Sequence, residues 1–339
     1  MSDMTSSLGR VLVTGGGGFL GTAVSRLLRE RGLMVRCLSR SSHPHLAELG
    51  IEQIRGDVAD ASVVARAVDG CGTVFHTAAK AGLWGPAHEY HRANVEGTRN
   101  VVDSCRAAGV PRLIYTSSPS VVFNGSDLAG VDESAPYCRR FEAAYPQTKA
   151  IAEQLILAAN SAGLSTVALR PHLIWGPGDN NLLPRIIARA RGGQLRRIGR
   201  TNALIDPVYI DNAAAAHLLA ADSLAPGSPV AGKAYFVTQG ETIPVWDMIN
   251  ALLEAAHMAP VRRTIARPVA LAGAGLLEAA YRLSGRRDEP PMTRFLARQL
   301  STTHWFRIDA ARRDFGYEPL VRIAEGLRRL EAWLHREVV

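Results

Sequence analysis

The sequence has 339 residues, of which 47% are apolar and 21% are charged. This is the composition of an ordinary globular protein, and it excludes a fibrous or an intrinsically disordered chain. The net charge of +8 suits an anionic ligand, but no aromatic interleaving or nucleic-acid motif accompanies the basic residues, so we expect no nucleic-acid partner.

The chain begins with a polar segment, Met1 to Arg10, which has no apolar run ahead of a small-residue cleavage site. We therefore expect a cytoplasmic protein. The cysteines form no C-x-x-C pair with metal-ligand spacing, so we predict free thiols and no metal site. They are Cys37, Cys71, Cys105 and Cys138.

Short β-branched segments alternate with longer helical patterns between Arg10 and Arg170. This alternation is typical of βαβ units, and we interpret it as an α/β fold with a doubly wound, Rossmann-type parallel sheet. Such sheets bind ligands beyond the carboxyl ends of their strands. The predicted strands are Val11 to Thr14, Met34 to Leu38, Thr73 to His76, Leu113 to Ser117 and Thr166 to Leu169. The predicted helices are Leu20 to Arg31, Ala61 to Val68, Asn94 to Ala108 and Pro146 to Ala162.

A glycine-rich turn joins the first predicted strand to the first helix, which is the context that a dinucleotide-binding fingerprint requires. Gly15 permits a tight turn, Gly18 lets backbone amides approach a pyrophosphate, and Gly21 lets the helix pack closely on the sheet. We expect the cofactor to contact Gly15, Gly18, Phe19, Leu20 and Gly21.

The second predicted strand leads into Ser39 and Arg40, at the place where NAD-binding proteins carry an acidic residue for the ribose 2′-hydroxyl. A carboxylate there would repel a 2′-phosphate, whereas Ser39 can donate a hydrogen bond to it and Arg40 can form a charge-assisted contact. The sequence therefore predicts NADP(H) as the cofactor. The alternative is that Arg40 is a solvated surface residue.

Two further segments lie where an adenine and its ribose would bind. Asp57 and Val58 follow the third strand of the sheet, and Ala78 and Ala79 follow the fourth. Their position at the carboxyl edge of the sheet predicts cofactor contact. Asp57 could instead be a turn or helix-cap residue.

Tyr145 and Lys149 are four residues apart, so on a helix their side chains project from the same face. Pro146 places Tyr145 at the start of that helix, because proline is tolerated in a first turn. A free tyrosine has a pKa of about 10, and we expect the Lys149 ammonium, as a permanent cation, to lower it together with an oxidised nicotinamide. The pair therefore predicts proton transfer at a substrate oxygen.

Three serines, Ser117, Ser118 and Ser120, stand at the end of the fifth strand, at the mouth of the expected cleft. We expect Ser118 to orient and polarise a substrate carbonyl. Ser117 and Ser120 are the alternatives, and both can be turn-forming residues.

After Arg170 the alternation is lost. We predict a dinucleotide-binding domain over residues 1–170, to which segments around 205–220 return, and a smaller, mainly helical substrate domain over residues 171–339. Strand-like pieces around Pro207 to Tyr209 and Ala234 to Thr238 are placed in the second domain. The apolar segment Pro268 to Leu283 is shorter than the ~20 residues that a membrane span needs. We interpret it as a lid or core helix, with a membrane-surface helix as the alternative.

Taken in order, these motifs resemble the extended short-chain dehydrogenase/reductase superfamily over essentially the whole chain. The matching segments are Thr14 to Gly21, His76 to Ala79, Asn94 to Thr98, Thr116 to Ser118, Tyr145 to Lys149 and Arg170 to Asp179. The resemblance implies Ser118, Tyr145 and Lys149 as catalytic residues, with Asn94 as a candidate for holding a relay water.

The resemblance also implies cofactor contacts at Tyr145 and Lys149, and at the backbone of Pro171 and Leu173 near the nicotinamide. Dimerisation of two identical chains is usual in the superfamily and is expected here.

The run from Val208 to His217 resembles the 3β-hydroxysteroid dehydrogenase branch of the superfamily. Epimerases of sugar nucleotides usually carry an arginine where this chain has Ile205, which argues against a sugar-nucleotide substrate.

Within that branch the chain is most similar to the bacterial 2-alkyl-3-oxoalkanoate reductases of long-chain olefin biosynthesis, which reduce a β-keto acid bearing two alkyl chains. An apolar C-terminal half suits alkyl tails, and the basic balance suits a carboxylate. Lys80, Trp84 and His172 are the expected substrate contacts. The resemblance implies association with other enzymes of that pathway, and peripheral contact with a membrane is a further expectation.

Two alternatives stay open. The first is a different enzyme on the same scaffold, either a 3β-hydroxysteroid or sterol dehydrogenase or a dihydroflavonol-type ketone reductase. The second is a non-catalytic NADP-binding module, against which the presence of Ser118, Tyr145 and Lys149 argues.

Overall fold

A seven-stranded parallel sheet forms the centre of the molecule. The computed structural model describes residues 8–199 and 203–338, so most of the Met1 to Arg10 segment lies outside the described residues. The strands are β1 Val11–Thr14, β2 Val35–Ser39, β3 Glu52–Arg55, β4 Thr73–His76, β5 Arg112–Thr116, β6 Leu128–Val131, β7 Ser165–Pro171, β8 Arg197–Ile198, β9 Leu204–Ile205, β10 Lys233–Val237, β11 Ile243–Pro244, β12 Thr264–Ile265 and β13 His304–Phe306. The order in the main sheet is β10-β7-β5-β4-β1-β2-β3, which confirms the predicted doubly wound α/β fold.

The described residues form thirteen α-helices, several of which cover both faces of this sheet. They are α1 Phe19–Glu30, α2 Pro44–Glu48, α3 Ala61–Val68, α4 Ala87–Tyr90, α5 Gly97–Ala107, α6 Ala144–Ala158, α7 Leu182–Arg191, α8 Ile210–Ser223, α9 Val245–Ala255, α10 Arg267–Leu283, α11 Arg294–Gln299, α12 Asp309–Phe315 and α13 Ile323–Val338. A π-helical segment, His91–Glu96, precedes α5, and a 3₁₀ turn, Pro119–Val121, follows β5.

Neighbouring residues of one strand pack into two different cores, because side chains alternate across a sheet. In β1, Val11 and Val13 pack in the core that contains α1 and α8, whereas Leu12 packs in the core that contains α3 and α5. All seven residues of β7 are buried. This double burial explains why the strands read as continuous apolar runs.

The strand at Lys233–Val237 corrects one expectation. The sequence placed this segment in the second domain, but it pairs in parallel with β7 and forms an edge of the main sheet. Its buried residues Tyr235 and Val237 pack in the same core as Val167 and Leu169 of β7, whereas Phe236 packs in a separate cluster with Phe306. The segment Pro207 to Tyr209 is not a strand and contributes a single bridge between Trp175 and Tyr209.

The short strands after β7 form two small sheets, β11-β9-β13-β6 and β12-β8. Helix α8 packs on α1, where Arg26 and Asp211 form a 2.9 Å ion pair. The division into two domains at residue 170 stays a prediction. Among the described residues, none of the helices combines the length and the apolar character that crossing a bilayer requires.

Candidate active site

The glycine turn after β1 has the geometry that its sequence predicts. Gly15 has a φ of 72°, and a Cβ atom there would lie 2.8 Å from the Cα of Ala78. A Cβ atom on Gly21 would lie 2.2 Å from the carbonyl oxygen of Gly15, so only glycine allows α1 to start this close to the turn. No side chain caps α1, whose first-turn amides are therefore available to an anion such as a pyrophosphate.

A cleft of about 610 Å³ opens beside this turn, at the carboxyl ends of β1, β2 and β4. Eight of the predicted cofactor residues line it, namely Gly15, Gly18, Ser39, Arg40, Asp57, Val58, Ala78 and Ala79. Sequence reasoning missed other lining residues, including His43, Thr77, His88, Glu89 and Arg92. The size, the glycine turn and the free amides fit a dinucleotide.

The polar and charged residues of this cleft differ in whether their side chains are free to bind a ligand. Arg40 is exposed and forms no ion pair with any residue of the described ranges, so its guanidinium is free to meet a phosphate. Ser39 donates a 2.7 Å hydrogen bond to the carbonyl of Ser41. Asp57 accepts from the amide of Ala59 at 3.0 Å and pairs with Arg92 at 3.2 Å, so it has the turn role that was the alternative for this residue.

Four of the remaining predicted cofactor residues flank this cleft without lining it. Phe19 and Leu20 form the first turn of α1, and Leu20 packs inward on the sheet. Pro171 is the buried last residue of β7. Leu173 is partly exposed and has a φ of 45°, which is a strained backbone for a leucine. Their contact with a nicotinamide stays a prediction.

Tyr145 lies in the first turn of α6, partly exposed, and its hydroxyl is hydrogen bonded to Ser118. Burial raises the pKa of Tyr145, and the hydrogen bond to Ser118 opposes that rise. The expectation of a pKa lowered by Lys149 is therefore wrong for the protein without its cofactor. The Oγ atom of Ser118 also accepts a 2.9 Å hydrogen bond from Ser120, whereas Ser117 is buried. Ser118 is thus the serine that faces the phenol.

Lys149 is buried one helical turn after Tyr145. Its ammonium donates to the carbonyl oxygen of Thr116 and lies 4.2 Å from the centre of the Tyr115 ring. Burial lowers the pKa of Lys149 to about 7, against the opposing effect of Glu153. The expectation of a permanent cation is therefore wrong, because desolvation disfavours the charged form.

The low pKa of Lys149 predicts how stability depends on pH. The folded protein holds this group at a pKa of about 7, and an unfolded chain holds it at about 10.4. Between these values the unfolded state binds more protons, so the free energy of unfolding should rise with pH by up to about 1.4 kcal/mol per unit relative to a Lys149→Met variant. Urea unfolding across that pH range measures the difference.

The matched control is Lys233→Met, since Lys233 is 53% exposed. Its difference from the native chain should not change with pH over the same range. A constant difference for Lys149→Met as well would mean that the folded protein keeps the Lys149 ammonium charged.

A buried ion pair supports the helix behind Lys149. Glu153 binds Arg170 through two contacts, Nη2 to Oε1 at 2.6 Å and Nε to Oε2 at 3.0 Å. The hydroxyl of Tyr137 donates to the same carboxylate at 2.6 Å. The pair ties α6 to the end of β7. Sequence reasoning missed Glu153, although it continues the four-residue spacing of Tyr145 and Lys149.

A second missed residue is His217 on α8, within the Val208 to His217 run. It is fully buried, and its Nε2 atom lies 2.8 Å from the hydroxyl of Thr116. Since the carbonyl of Thr116 receives the Lys149 ammonium, His217 is a positioning residue for that contact. Burial lowers the pKa of His217 to about 4, so the ring is neutral at pH 7.

Asn94 lies in the π-helical segment, with both polar atoms of its amide engaged. The Oδ1 atom accepts from the amide of Lys80 at 2.7 Å, and Nδ2 donates to the hydroxyl of Thr148 at 3.0 Å. Asn94 therefore connects the loop after β4 to α6. Its role in holding a relay water stays a prediction.

His172 is wrong as a substrate contact. It is buried, its Nδ1 donates to Asp206 at 2.7 Å, and its Nε2 is 2.9 Å from Nδ1 of His304. Burial, with His172 as a further cause, lowers the pKa of His304 to about 3. Both nitrogens of His172 are therefore used inside the protein, and no ring atom is left for a ligand.

The other two predicted substrate contacts lie apart from each other. Lys80 lines the large cleft and forms a 2.8 Å ion pair with Glu89. Trp84 lines a separate groove of about 390 Å³ between the loop before α4 and helix α10. Ala143 and Ala144, directly before Tyr145, line the same groove. The groove therefore reaches the two residues that precede Tyr145 in the chain.

The groove is lined by aromatic and apolar side chains, by three arginines and by two glutamates, namely Arg282, Arg286, Arg287, Glu142 and Glu278. Trp84 meets Tyr281 edge to face at 6.1 Å, and the guanidinium of Arg282 lies 5.6 Å from the Trp84 ring. Phe295 and Arg287 also line the groove. Such a lining suits an apolar chain that ends in an anionic group.

Comparison with known proteins agrees with this geometry. A family model described as 3-beta hydroxysteroid dehydrogenase/isomerase matches residues 12–266. The chain is 52% identical to a 2-alkyl-3-oxoalkanoate reductase of Stenotrophomonas maltophilia, over 95% of this chain and 98% of that one. It is 44% identical to a protein of the same name from Shewanella oneidensis, over 98% of this chain and 88% of that one.

The solved structure of MoeE5 in complex with UDP-glucose and NAD is similar over 98% of this chain and 100% of that one, with a TM-score of 0.74 and 26% identity. Structural neighbours of this kind indicate a nicotinamide cofactor, which the glycine turn and the cleft can accommodate.

Proposed function

Because the chain belongs to the 3-beta hydroxysteroid dehydrogenase/isomerase family, and is therefore an oxidoreductase, we propose that it reduces the keto group of a 2-alkyl-3-oxoalkanoate to a hydroxyl group. The observation that carries the proposal is the hydrogen-bonded pair of Tyr145 and Ser118, one helical turn from the buried Lys149 and directly after two residues that line the groove beside Trp84. The names of the two relatives support the substrate class. A place in long-chain olefin biosynthesis, association with other enzymes of that pathway, a homodimer and a cytoplasmic location stay predictions.

The residues of the site have separate roles in a ketone reduction. Bound NADPH supplies the hydride. The hydroxyls of Ser118 and Tyr145 hold the substrate oxygen by hydrogen bonds, and Tyr145 gives its proton to that oxygen. An ordinary tyrosine, with a pKa of about 10, is already protonated at pH 7. The raised pKa of Tyr145 does not change this form, which is the one that a reduction needs. When its amine is protonated, which a pKa of about 7 allows in part of the molecules at pH 7, Lys149 on the same helical face stabilises the phenolate that remains.

We propose NADP(H) as the cofactor because Arg40 is exposed, unpaired within the described residues and lines the cleft directly after β2, where a ribose 2′-phosphate would bind. An Arg40→Asp variant should lower the ratio of kcat/KM for NADPH to kcat/KM for NADH by about 10- to 100-fold, since a charge-assisted contact is lost and repulsion is added. Steady-state kinetics with both cofactors measures the ratio.

The control for this prediction is Arg99→Asp, which makes the same charge change at an exposed position on α5 outside the cleft. It should leave the ratio unchanged. Equal kcat/KM values for the two cofactors in the native protein would contradict the choice of NADP(H).

The substrate is tested by measuring NADPH oxidation with a 2-alkyl-3-keto acid, a 3-ketosteroid and a flavonoid ketone. We expect turnover with the keto acid, because its alkyl chain fits the groove beside Trp84 and its carboxylate fits the arginines that line it. Activity with the steroid alone would reject this substrate class and support the hydroxysteroid alternative.

A further inference from the structure

The outer face of helix α10 is apolar and open to solvent. Val269, Leu276 and Leu283 are 58%, 73% and 90% exposed. Within the described residues, they are three of the five large hydrophobic side chains with high exposure. The exposed residues between them are Ala272, Ala279, Ala280 and, next to Leu283, Arg282. A spacing of three and four residues places the apolar ones on one face of the helix.

Of the charged side chains of α10, Arg282 alone is strongly exposed, and it lies at the edge of this face beside Leu283. Glu278 is buried and binds Arg294 at 3.0 Å. Arg282 lies against Trp84, and the Nε atom of Arg267 is buried. This is the reverse of an ordinary surface helix, whose polar residues face water. An apolar stripe of this kind is typical of a contact surface.

Basic residues flank the stripe at both ends. From residue 262 to residue 287 the chain has six arginines and a single glutamate. Arg262, Arg263 and Arg287 are exposed and take part in no ion pair among the described residues. A partner that combines an apolar layer with negative charge would match both features.

We propose that the outer face of α10 docks on the surface of an anionic lipid bilayer, with its leucines and valine at the boundary of the headgroups and the flanking arginines against lipid phosphates. Charge favours lipid over a second copy of the chain. A symmetric contact between two copies would bring the same arginine-rich segments together and would be repulsive.

The position of α10 also affects how a substrate would reach the site, a consequence that rests on the proposed function. The opposite side of the helix lines the groove beside Trp84 through Tyr281 and Arg282. A docked enzyme would therefore hold the groove close to the bilayer. A substrate with long alkyl chains would reach Tyr145 without first dissolving in water, where such chains are poorly soluble.

The test is co-sedimentation of the full chain with vesicles of phosphatidylcholine containing phosphatidylglycerol, compared with vesicles of phosphatidylcholine alone. We expect binding to the anionic vesicles, and we expect added salt to weaken it. The double variant Leu276→Glu/Leu283→Glu should bind at least about tenfold more weakly. The control is Leu320→Glu, which should bind the vesicles like the native chain, because Leu320 is 85% exposed but lies outside α10.

Failure of the native chain to bind anionic vesicles would overturn the proposal, as would equal binding by the double variant. If sedimentation velocity instead shows a dimer that the double variant dissociates, the stripe is a protein interface and the proposal is wrong. Turnover of a soluble, short-chain 2-alkyl-3-keto acid separates this question from the reaction. The double variant should retain that turnover, whereas failure of the native chain to turn over any such acid would reject the proposed function alone.

Discussion

A Tyr145→Phe variant should lose about 10²- to 10⁴-fold in kcat for ketone reduction at pH 7, which is the usual contribution of a positioned general acid. The phenol is hydrogen bonded to Ser118 and, like any tyrosine whose pKa is not lowered, it is protonated at pH 7. Phenylalanine keeps the ring and removes only the proton and the hydrogen bond. Binding of NADPH, followed by fluorescence titration, should change little, since Tyr145 does not line the large cleft.

The control for this variant is Tyr235→Phe. Tyr235 is also buried, but its hydroxyl binds Asp314 on the far side of the sheet edge, so kcat should be close to that of the native chain. If Tyr145→Phe keeps full turnover on the true substrate, the phenol is not the acid, and a non-catalytic NADP-binding module becomes the better interpretation of the cleft.

An Arg170→Met variant should lower the free energy of unfolding by about 3–5 kcal/mol, because it leaves the Glu153 carboxylate buried without its cation. The side chains of Arg170 and Glu153 are only 4% and 0% exposed, so water cannot replace the lost contact. Urea unfolding of the two proteins at one pH measures the loss.

The double variant Glu153→Leu/Arg170→Met distinguishes the cost of an unpaired buried carboxylate from the loss of the ion pair as a whole. Replacing both charges by apolar groups of similar size is often close to neutral, so most of the stability lost in the single variant should return. The hydroxyl of Tyr137 would lose its acceptor, which leaves a smaller cost of about 1–3 kcal/mol. A loss below about 1 kcal/mol for Arg170→Met would show that the carboxylate reaches water or becomes protonated at little cost.

Local patterns predicted the parts of the site that depend on neighbouring residues in the chain. The turn at Gly15 needs a left-handed backbone, and the pair of Tyr145 and Lys149 needs only one helical turn. Both can therefore be predicted from a few consecutive residues of the sequence. The carboxyl-edge positions of Asp57 and Ala78 follow from the parallel sheet alone.

The errors arose where the answer depends on distant parts of the chain. His172 follows the end of β7, where a ligand contact was reasonable, but Asp206 and His304 enclose its ring. The direction of the pKa shift at Tyr145 was wrong because burial, which no local pattern reports, raises the pKa and outweighs the hydrogen bond to Ser118. The pairing of Lys233–Val237 with β7 was missed because a strand of five residues carries no signal for its partner.

Helix α6 carries the proton donor, the buried amine and the anchoring carboxylate at Tyr145, Lys149 and Glu153, one turn apart each time. One rigid helix thus both positions the reacting groups and anchors them to the sheet. An insertion of one residue between the first and last of these positions would rotate the proton donor by about 100° relative to the anchoring carboxylate. We infer that sequence changes in this helix must preserve the number of residues between the proton donor and the anchoring carboxylate.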